Sequence, residues 1–203
     1  MKEDYKFDGD YESIDLYEGP QAGCIAYWTK ININPNKVVD VGCGPGTYVY
    51  AMRNQGIIAV GYDLDPRTKD KLHLTNKSLF DIKDNGDMVM CFEVAEHVSP
   101  NDSQAVVDTL YDTLEKDGTL LFTAAHLGQG GVDHINCRPK EYWEHKFKEK
   151  GLLRCTTLED SLIAFIKTFP HMGWLTANLM IFYKIDESIT KSTAGSLNGP
   201  PQT

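Results

Sequence analysis

The stretch Val38-Val39-Asp40-Val41-Gly42-Cys43-Gly44-Pro45-Gly46-Thr47 decides how this chain is read. An apolar strand runs straight into glycines spaced G-x-G-x-G and then into a segment compatible with a helix. Glycine lets the backbone turn sharply and lets a ligand approach main-chain atoms closely. A glycine loop between a strand end and a helix start is a common seat for a nucleotide-like ligand. The nicotinamide fingerprint G-x-G-x-x-G would need glycine where Thr47 stands. Ile57 to Asp63 (IIAVGYD) reads as a second apolar strand ending in an acid, about twenty residues past the loop. At that distance a carboxylate can accept both hydroxyls of a ribose.

More of the pattern follows in order. Asp87 to His97 (DMVMCFEVAEH) is an apolar run ending in an E-V-x-E-H type sequence, and Leu114 to Thr123 (LEKDGTLLFT) has a helix end, a turn and a strand. From Lys37 to Gly151 the chain resembles the class I S-adenosylmethionine-dependent methyltransferases, with Asp117 where proline or glycine is commoner. The resemblance implies S-adenosylmethionine as cofactor. It puts a third strand at Leu79-Phe80-Asp81-Ile82, and it implies roles for single residues. Asp40 would orient the loop and the methionine end of the cofactor. Gly42, Cys43, Gly44 and Gly46 would bring amides and a helix terminus to its polar end. Asp63 would take the ribose hydroxyls and Leu64 would pack on the adenine. Asp81 would meet the adenine amine, with Asp84 and Asp87 as neighbouring acids that could take that place. Phe92 and Glu93 would line the pocket, and Glu96 and His97 read as structural.

The rest of the chain alternates in the same way. An N-terminal helix is expected over Glu18 to Ile31, where Ile25, Trp28 and Ile31 have near-helical spacing. Further helices are expected from Thr47 to Gln55, from Ser99-Pro100 onward, and from Pro139 to Lys150, with Gly56 and Gly151 as stops. Leu152 to Leu158 and Leu175 to Ile185 read as strands, the last one antiparallel by the resemblance. Strands alternating with helices predict an α/β fold. The expected form is a seven-stranded, doubly wound, mostly parallel sheet with an antiparallel last strand and helices on both faces. The domain is expected over 18–185, with a flexible segment or lid at 1–17 and a disordered tail at 186–203.

Composition narrows the partners. A net charge of −9 argues against nucleic acid, whose binding leans on Lys and Arg at phosphates. The lysines between Lys140 and Lys150 are mixed with glutamates and read as a solvated helix face. The chain has 5 cysteines and no C-x-x-C spacing, which fits free thiols in a reducing, cytoplasmic setting. No apolar run approaches the roughly 18 residues of a membrane span. The acidic N-terminus is not expected to act as a signal peptide.

The most distinctive stretch is Ala124 to Trp143 (AAHLGQGGVDHINCRPKEYW). It follows the fifth strand, so it should overhang the carboxyl edge of the sheet, where open α/β folds bind ligands. Its Gly128-Gln129-Gly130-Gly131 patch suggests a hinged substrate lid. It resembles a G-G-x-x-H-x-N-x-x-P-x-x-Y-W signature in a subset of small-molecule and sugar-type methyltransferases. His126 and His134 are the candidate catalytic residues, as a base or as substrate contacts. His134 and Asn136 could instead simply tie the loop down. A metal held by His126, Asp133 and His134 is a rival reading, but the spacing matches no zinc pattern and no metal is expected. The expected function is methyl transfer to an oxygen or nitrogen nucleophile of a small metabolite or sugar. The alternatives are an inactive S-adenosylmethionine-binding subunit or sensor, or a protein or RNA methyltransferase.

Overall fold

Short apolar runs separated by glycine, proline and acidic turns become the strands of one sheet. The computed structural model describes residues 11–169 and 173–185, without the side chains of 11–18 and 174. In chain order it forms α1 (Tyr11–Asn32), β1 (Lys37–Val41), α2 (Thr47–Asn54), β2 (Ile58–Asp63), β3 (Leu74–Asn76) and β4 (Gly86–Phe92). There follow α3 (Ser103–Thr113), β5 (Leu114–Thr123), α4 (Lys140–Lys150), β6 (Leu152–Arg154), α5 (Thr156–Ile166), α6 (Gly173–Asn178) and β7 (Met180–Lys184). The strand order is β3-β2-β1-β4-β5-β7-β6. β1 pairs in parallel with both β2 and β4, and β7 runs antiparallel between β5 and β6. The sheet is therefore seven-stranded and mostly parallel, as the alternation of elements predicts.

Side chains alternate across a strand, so each strand feeds two cores. Val38, Met88, Met90, Leu121 and Ile181 pack on one face with Ile25 of α1, Met52 of α2, and Leu162 and Ile166 of α5. Val39, Val41, Val89, Cys91, Phe122 and Phe182 pack on the other with Val106 and Leu110 of α3 and Trp143 and Phe147 of α4. Phe147 sits four residues after Trp143, so both reach the sheet from one helix face. Its ring lies 5.0 Å from Phe122 and 4.7 Å from Phe182.

Several elements depart from the sequence reading. The third strand is Leu74–Asn76, and Leu79–Asp81 is a 3-10 turn capped by Ser78, whose hydroxyl accepts the Phe80 amide. Leu114 already pairs with Gly86, so the expected Gly turn becomes an irregularity inside β5, with Asp117 at φ 59. The strand after Gly151 lasts only to Arg154, and Leu158, Leu162 and Ile166 instead form an i, i+4, i+8 stripe on α5. Leu175 to Asn178 belong to α6, and only Met180–Lys184 form the last strand. α1 reaches back to Tyr11, into the segment the sequence reading leaves flexible. The 1–10 segment, His171, Met172 and the 186–203 tail lie outside the described residues.

The order of strands reverses at β1, whose neighbours are β2 on one side and β4 on the other. The loops after β1 and β4 therefore leave in different directions and open a crevice between them. They touch at its base. A Cβ on Gly42, which has φ +77, would meet Val94 Cγ2 at 2.3 Å. Gly42→Ala should therefore cost about 1–3 kcal/mol of stability through strain and overpacking. Urea unfolding of Gly42→Ala, Val94→Ala and the double variant should give a coupling of about 0.5–3 kcal/mol that favours the pair. Additive effects would show that the two loops do not press on each other.

Candidate active site

The loop after β1 turns three times through the left-handed region, at Gly42 (φ 77), Gly44 (φ 51) and Gly46 (φ 92). Its amides are largely used inside the protein. Gly42 and Cys43 both donate to Tyr62 O, at 2.8 and 3.1 Å, and Gly46 donates to Cys43 O at 2.9 Å. Gly44 donates to Asp63 Oδ2 at 2.8 Å. No side chain caps α2, whose N-cap is Gly46. Cys43 is buried against β2, where a Cβ on Gly61 would meet its Sγ at 2.6 Å. Burial pushes its thiol pKa up. Asp40, next to last in β1, is 2% exposed.

Asp63 closes β2, and backbone amides hold both of its oxygens. Besides Gly44 on Oδ2, the Asp65 amide donates to Oδ1 at 2.8 Å. Burial raises its carboxyl pKa, and the two amides oppose that rise. Asn76 at the end of β3 braces the same turn. Its Nδ2 lies 3.2, 2.7 and 2.8 Å from the carbonyls of Asp63, Leu64 and Asp65. Lys71 Nζ reaches Pro45 O at 3.1 Å and ties the turn's continuation to the glycine loop. Leu64 is half-buried at the turn, whereas Asp81 is exposed at the end of its 3-10 turn.

Across the crevice, Phe92 ends β4 with its ring edge-on to Tyr48 at 5.1 Å. Glu93 follows at φ 52, a conformation that costs about 1–3 kcal/mol in a residue other than glycine. Its amide donates to Thr123 O (3.2 Å) and Thr123 Oγ1 (3.0 Å), which hold it there. Its Oε1 accepts from Asn178 Nδ2 at 3.0 Å, and the same Nδ2 lies 3.0 Å from Gln129 Oε1. Gln129 belongs to the glycine patch after β5, so that loop is tied to the end of β4 through α6.

Glu96 clamps both ends of the same loop. Its Oε1 accepts the Ala125 amide at 3.1 Å, and its main-chain carbonyl accepts the Ile135 and Asn136 amides at 3.0 and 2.9 Å. Burial, and then the neighbouring Glu93 carboxylate, raise the Glu96 pKa to about 8. Asn136, 2% exposed, donates to Ala95 O and Ser103 Oγ at 3.2 and 3.0 Å and accepts from Arg138 Nε at 3.0 Å. The loop-tying role weighed for Asn136 is thus the one it has.

The two candidate histidines do not share a place. His126 is exposed, with Nδ1 3.1 Å from Leu127 O. His134 stacks edge-on with His97, ring centres 4.9 Å apart, and falls in one cluster with His97 and Glu96. Burial, followed by the proximity of His134, lowers the His97 pKa. The His126, Asp133 and His134 grouping does not form a ligand cluster: Asp133 contributes its carbonyl to His97 Nδ1 at 3.2 Å. Sequence reasoning missed Asn76, Gln129 and Asn178, because no spacing marks an amide that acts across strands.

The model of the family described as "Methyltransferase domain" matches residues 22–162, and the chain belongs to that family. Among curated relatives, a ubiquinone biosynthesis O-methyltransferase from Idiomarina loihiensis is 27% identical over 196 residues, 83% of this chain and 79% of its own length. One of the same name from Pseudomonas fluorescens is 27% identical over 128 residues, 56% of this chain. The chain spans about half the length of the Pseudomonas relatives it matches (50%). Solved structures share the fold. An S-adenosylmethionine-bound amino pentose methyltransferase from Micromonospora echinaspora has TM-score 0.62 at 12% identity, covering 90% of this chain and 99% of its own. The 1,6-didemethyltoxoflavin-N1-methyltransferase of Burkholderia thailandensis has TM-score 0.59 at 13% identity, covering 92% and 95%.

Asn136→Ala should remove the side-chain donor shared by Ala95 O and Ser103 Oγ and cost about 1–3 kcal/mol. Limited proteolysis should then cut faster between Leu127 and Ile135. Unchanged protection would place the hold on this loop elsewhere.

Proposed function

We propose that this protein is an S-adenosylmethionine-dependent methyltransferase acting on an oxygen or nitrogen nucleophile of a small molecule. The observation that carries this reading is Asp63, a largely buried carboxylate held by the Gly44 and Asp65 amides beside the strand-order reversal. A buried acid gains from further hydrogen-bond donors, and a ribose diol supplies two of them. The residues around it fit such a cofactor. Leu64 offers an apolar contact for the adenine, and Phe92 and Tyr48 form an aromatic wall near the end of β4. Asp40 and the start of α2 take the polar amino-acid end. The ends of the relatives' names agree, since all are methyltransferases of small molecules. No described helix is long and apolar enough to cross a membrane.

The bound cofactor supplies an electrophilic methyl on a sulfonium. The chain's contribution is to hold a nucleophile in line with it and to take the nucleophile's proton. The roof for that work is the loop between Ala125 and Arg138, clamped by Glu96 and Asn136 and tied through Gln129. Leu127, Val132 and Ile135 are exposed on it, which favours an acceptor with apolar surface. His126 is the proposed base. With its Nδ1–H given to Leu127 O, its Nε2 lone pair is available for a proton. In the transfer the acceptor's O–H or N–H proton passes to that nitrogen. Held by Asp63, Leu64 and the glycine loop, the cofactor would supply the methyl and keep the carbon–sulfur bonding pair as a neutral thioether.

Two measurements test this. By calorimetry S-adenosylhomocysteine should bind and NAD should not. Asp63→Ala should weaken S-adenosylhomocysteine binding roughly 10- to 150-fold, the equivalent of about 1.5–3 kcal/mol. NAD binding without S-adenosylhomocysteine binding would overturn the reading. His126→Ala should bind S-adenosylhomocysteine normally yet slow single-turnover methyl transfer on the order of 100- to 10,000-fold. An unchanged single-turnover rate would leave positioning as the catalytic device.

A further inference from the structure

Apart from the cofactor crevice, one group of side chains has the donor set of a metal site. Glu96, His97 and His134 each bring one ligand atom to a common point, and these atoms lie within 4.8 Å of one another. Glu96 is 0% exposed. One of its oxygens takes the Ala125 amide, while Oε2 is buried without a hydrogen-bond partner among the described residues. His134 Nδ1 is likewise buried without a partner. A buried polar atom left in this way costs about 1–3 kcal/mol, so two of them in one such group call for an occupant.

We infer that Glu96, His97 and His134 form a binding site for one divalent transition-metal ion at the carboxyl edge of the sheet. His97 is already arranged as a ligand with a supporting outer contact. Its Nδ1 lies 3.2 Å from Asp133 O, and a proton on that nitrogen puts the lone pair on Nε2, the tautomer that ligates through Nε2. The chain bends to make this possible. Asp133 adopts φ 55, and it presents its carbonyl to one histidine while its neighbour His134 packs on the same ring at 4.9 Å. Gly131 leaves the room, because a Cβ there would meet His134 Nε2 at 2.1 Å. An ion about 2.1 Å from each donor would draw the three atoms to roughly 3–3.5 Å apart, a small side-chain adjustment. Two imidazoles and one carboxylate suit zinc, manganese, iron or cobalt better than magnesium or calcium. The Glu93 carboxylate beside Glu96 adds attraction for a cation.

Three protein donors leave coordination positions open. Glu96 and His97 follow β4 and His134 lies on the loop after β5, so the ion would sit between the crevice wall and its roof. Resting on the methyltransferase reading, the open positions are for an oxygen of the methyl acceptor, held and acidified as a Lewis acid does.

The test uses the full chain, stripped with a chelator and titrated separately with Zn²⁺, Mn²⁺, Co²⁺ and Mg²⁺. Calorimetry should find one site that takes Zn²⁺ and Co²⁺ at least 100-fold more tightly than Mg²⁺. Co²⁺ should give visible d–d bands with no thiolate charge-transfer band in the near ultraviolet. Glu96→Gln, which keeps an acceptor for the Ala125 amide, and His134→Ala should each lose at least 100-fold in affinity, with circular dichroism unchanged. If His134→Ala fails to fold, His97→Gln replaces it. A thiolate band, or Zn²⁺ affinity unchanged in folded variants, would overturn the site, as would no binding by the native chain. S-adenosylhomocysteine titrated into the same samples separates the two claims. Its binding without metal binding defeats the metal site alone, and metal binding without it defeats the methyltransferase reading alone.

Discussion

The contact of Gly42 with Val94 is the constraint on which the rest of the site depends. It lies where the strand order reverses, and it sets how closely the loops after β1 and β4 can approach. Much of the site hangs from those two loops. One leads to Gly44 and so to Asp63, the other to Glu93, Glu96 and His97. A glycine is needed at position 42 on two counts, its positive φ and the lack of space for a Cβ. The glycine pattern therefore has a packing origin at its first member, whatever it does for a ligand.

The glycine loop also shows that an amide near a binding site need not be offered to the ligand. Gly42, Cys43, Gly44 and Gly46 spend their N–H groups on Tyr62, Asp63 and Cys43. The loop is stiffened by these bonds, and Asp63 is positioned by one of them. Preorganisation of this kind lowers the cost of binding, because the carboxylate is fixed before a ligand arrives. Asn76 extends the same device by gathering three carbonyls onto one amide.

Glu96 has two roles in the fold. Its main-chain carbonyl and Oε1 fix the two ends of the roof loop, which is why a glycine-rich segment can stay in place. Its remaining oxygen is buried without a hydrogen-bond partner among the described residues, and its carboxylate groups with His97 and His134. Burying an acid for loop anchoring alone would be expensive, since a neutral amide side chain could accept the Ala125 N–H at lower cost.

The sequence by itself determined the sheet, the glycine loop and the acid at the end of β2. These follow from local rules: apolar runs, glycine at positive φ, and a carboxylate at a fixed distance along the chain. It also placed α3 and α4 through cap residues and helical stripes. It misplaced β3, because the short run Leu74–Asn76 has too few residues to show a pattern while Leu79 to Ile82 is more apolar. It missed α5, because Thr156 and Thr157 favour strand locally and only the packing of Leu162 and Ile166 on the sheet decides for a helix. Tertiary structure alone decided the grouping of side chains. Glu96 and His97 are distant in sequence from His134, and parallel strands joined by a helix bring their ends to one edge. His126 and His134 share a loop but not their neighbours. The loop between them is held at Ala125, Ile135 and Asn136, and such long-range hydrogen bonds have no signature in local spacing.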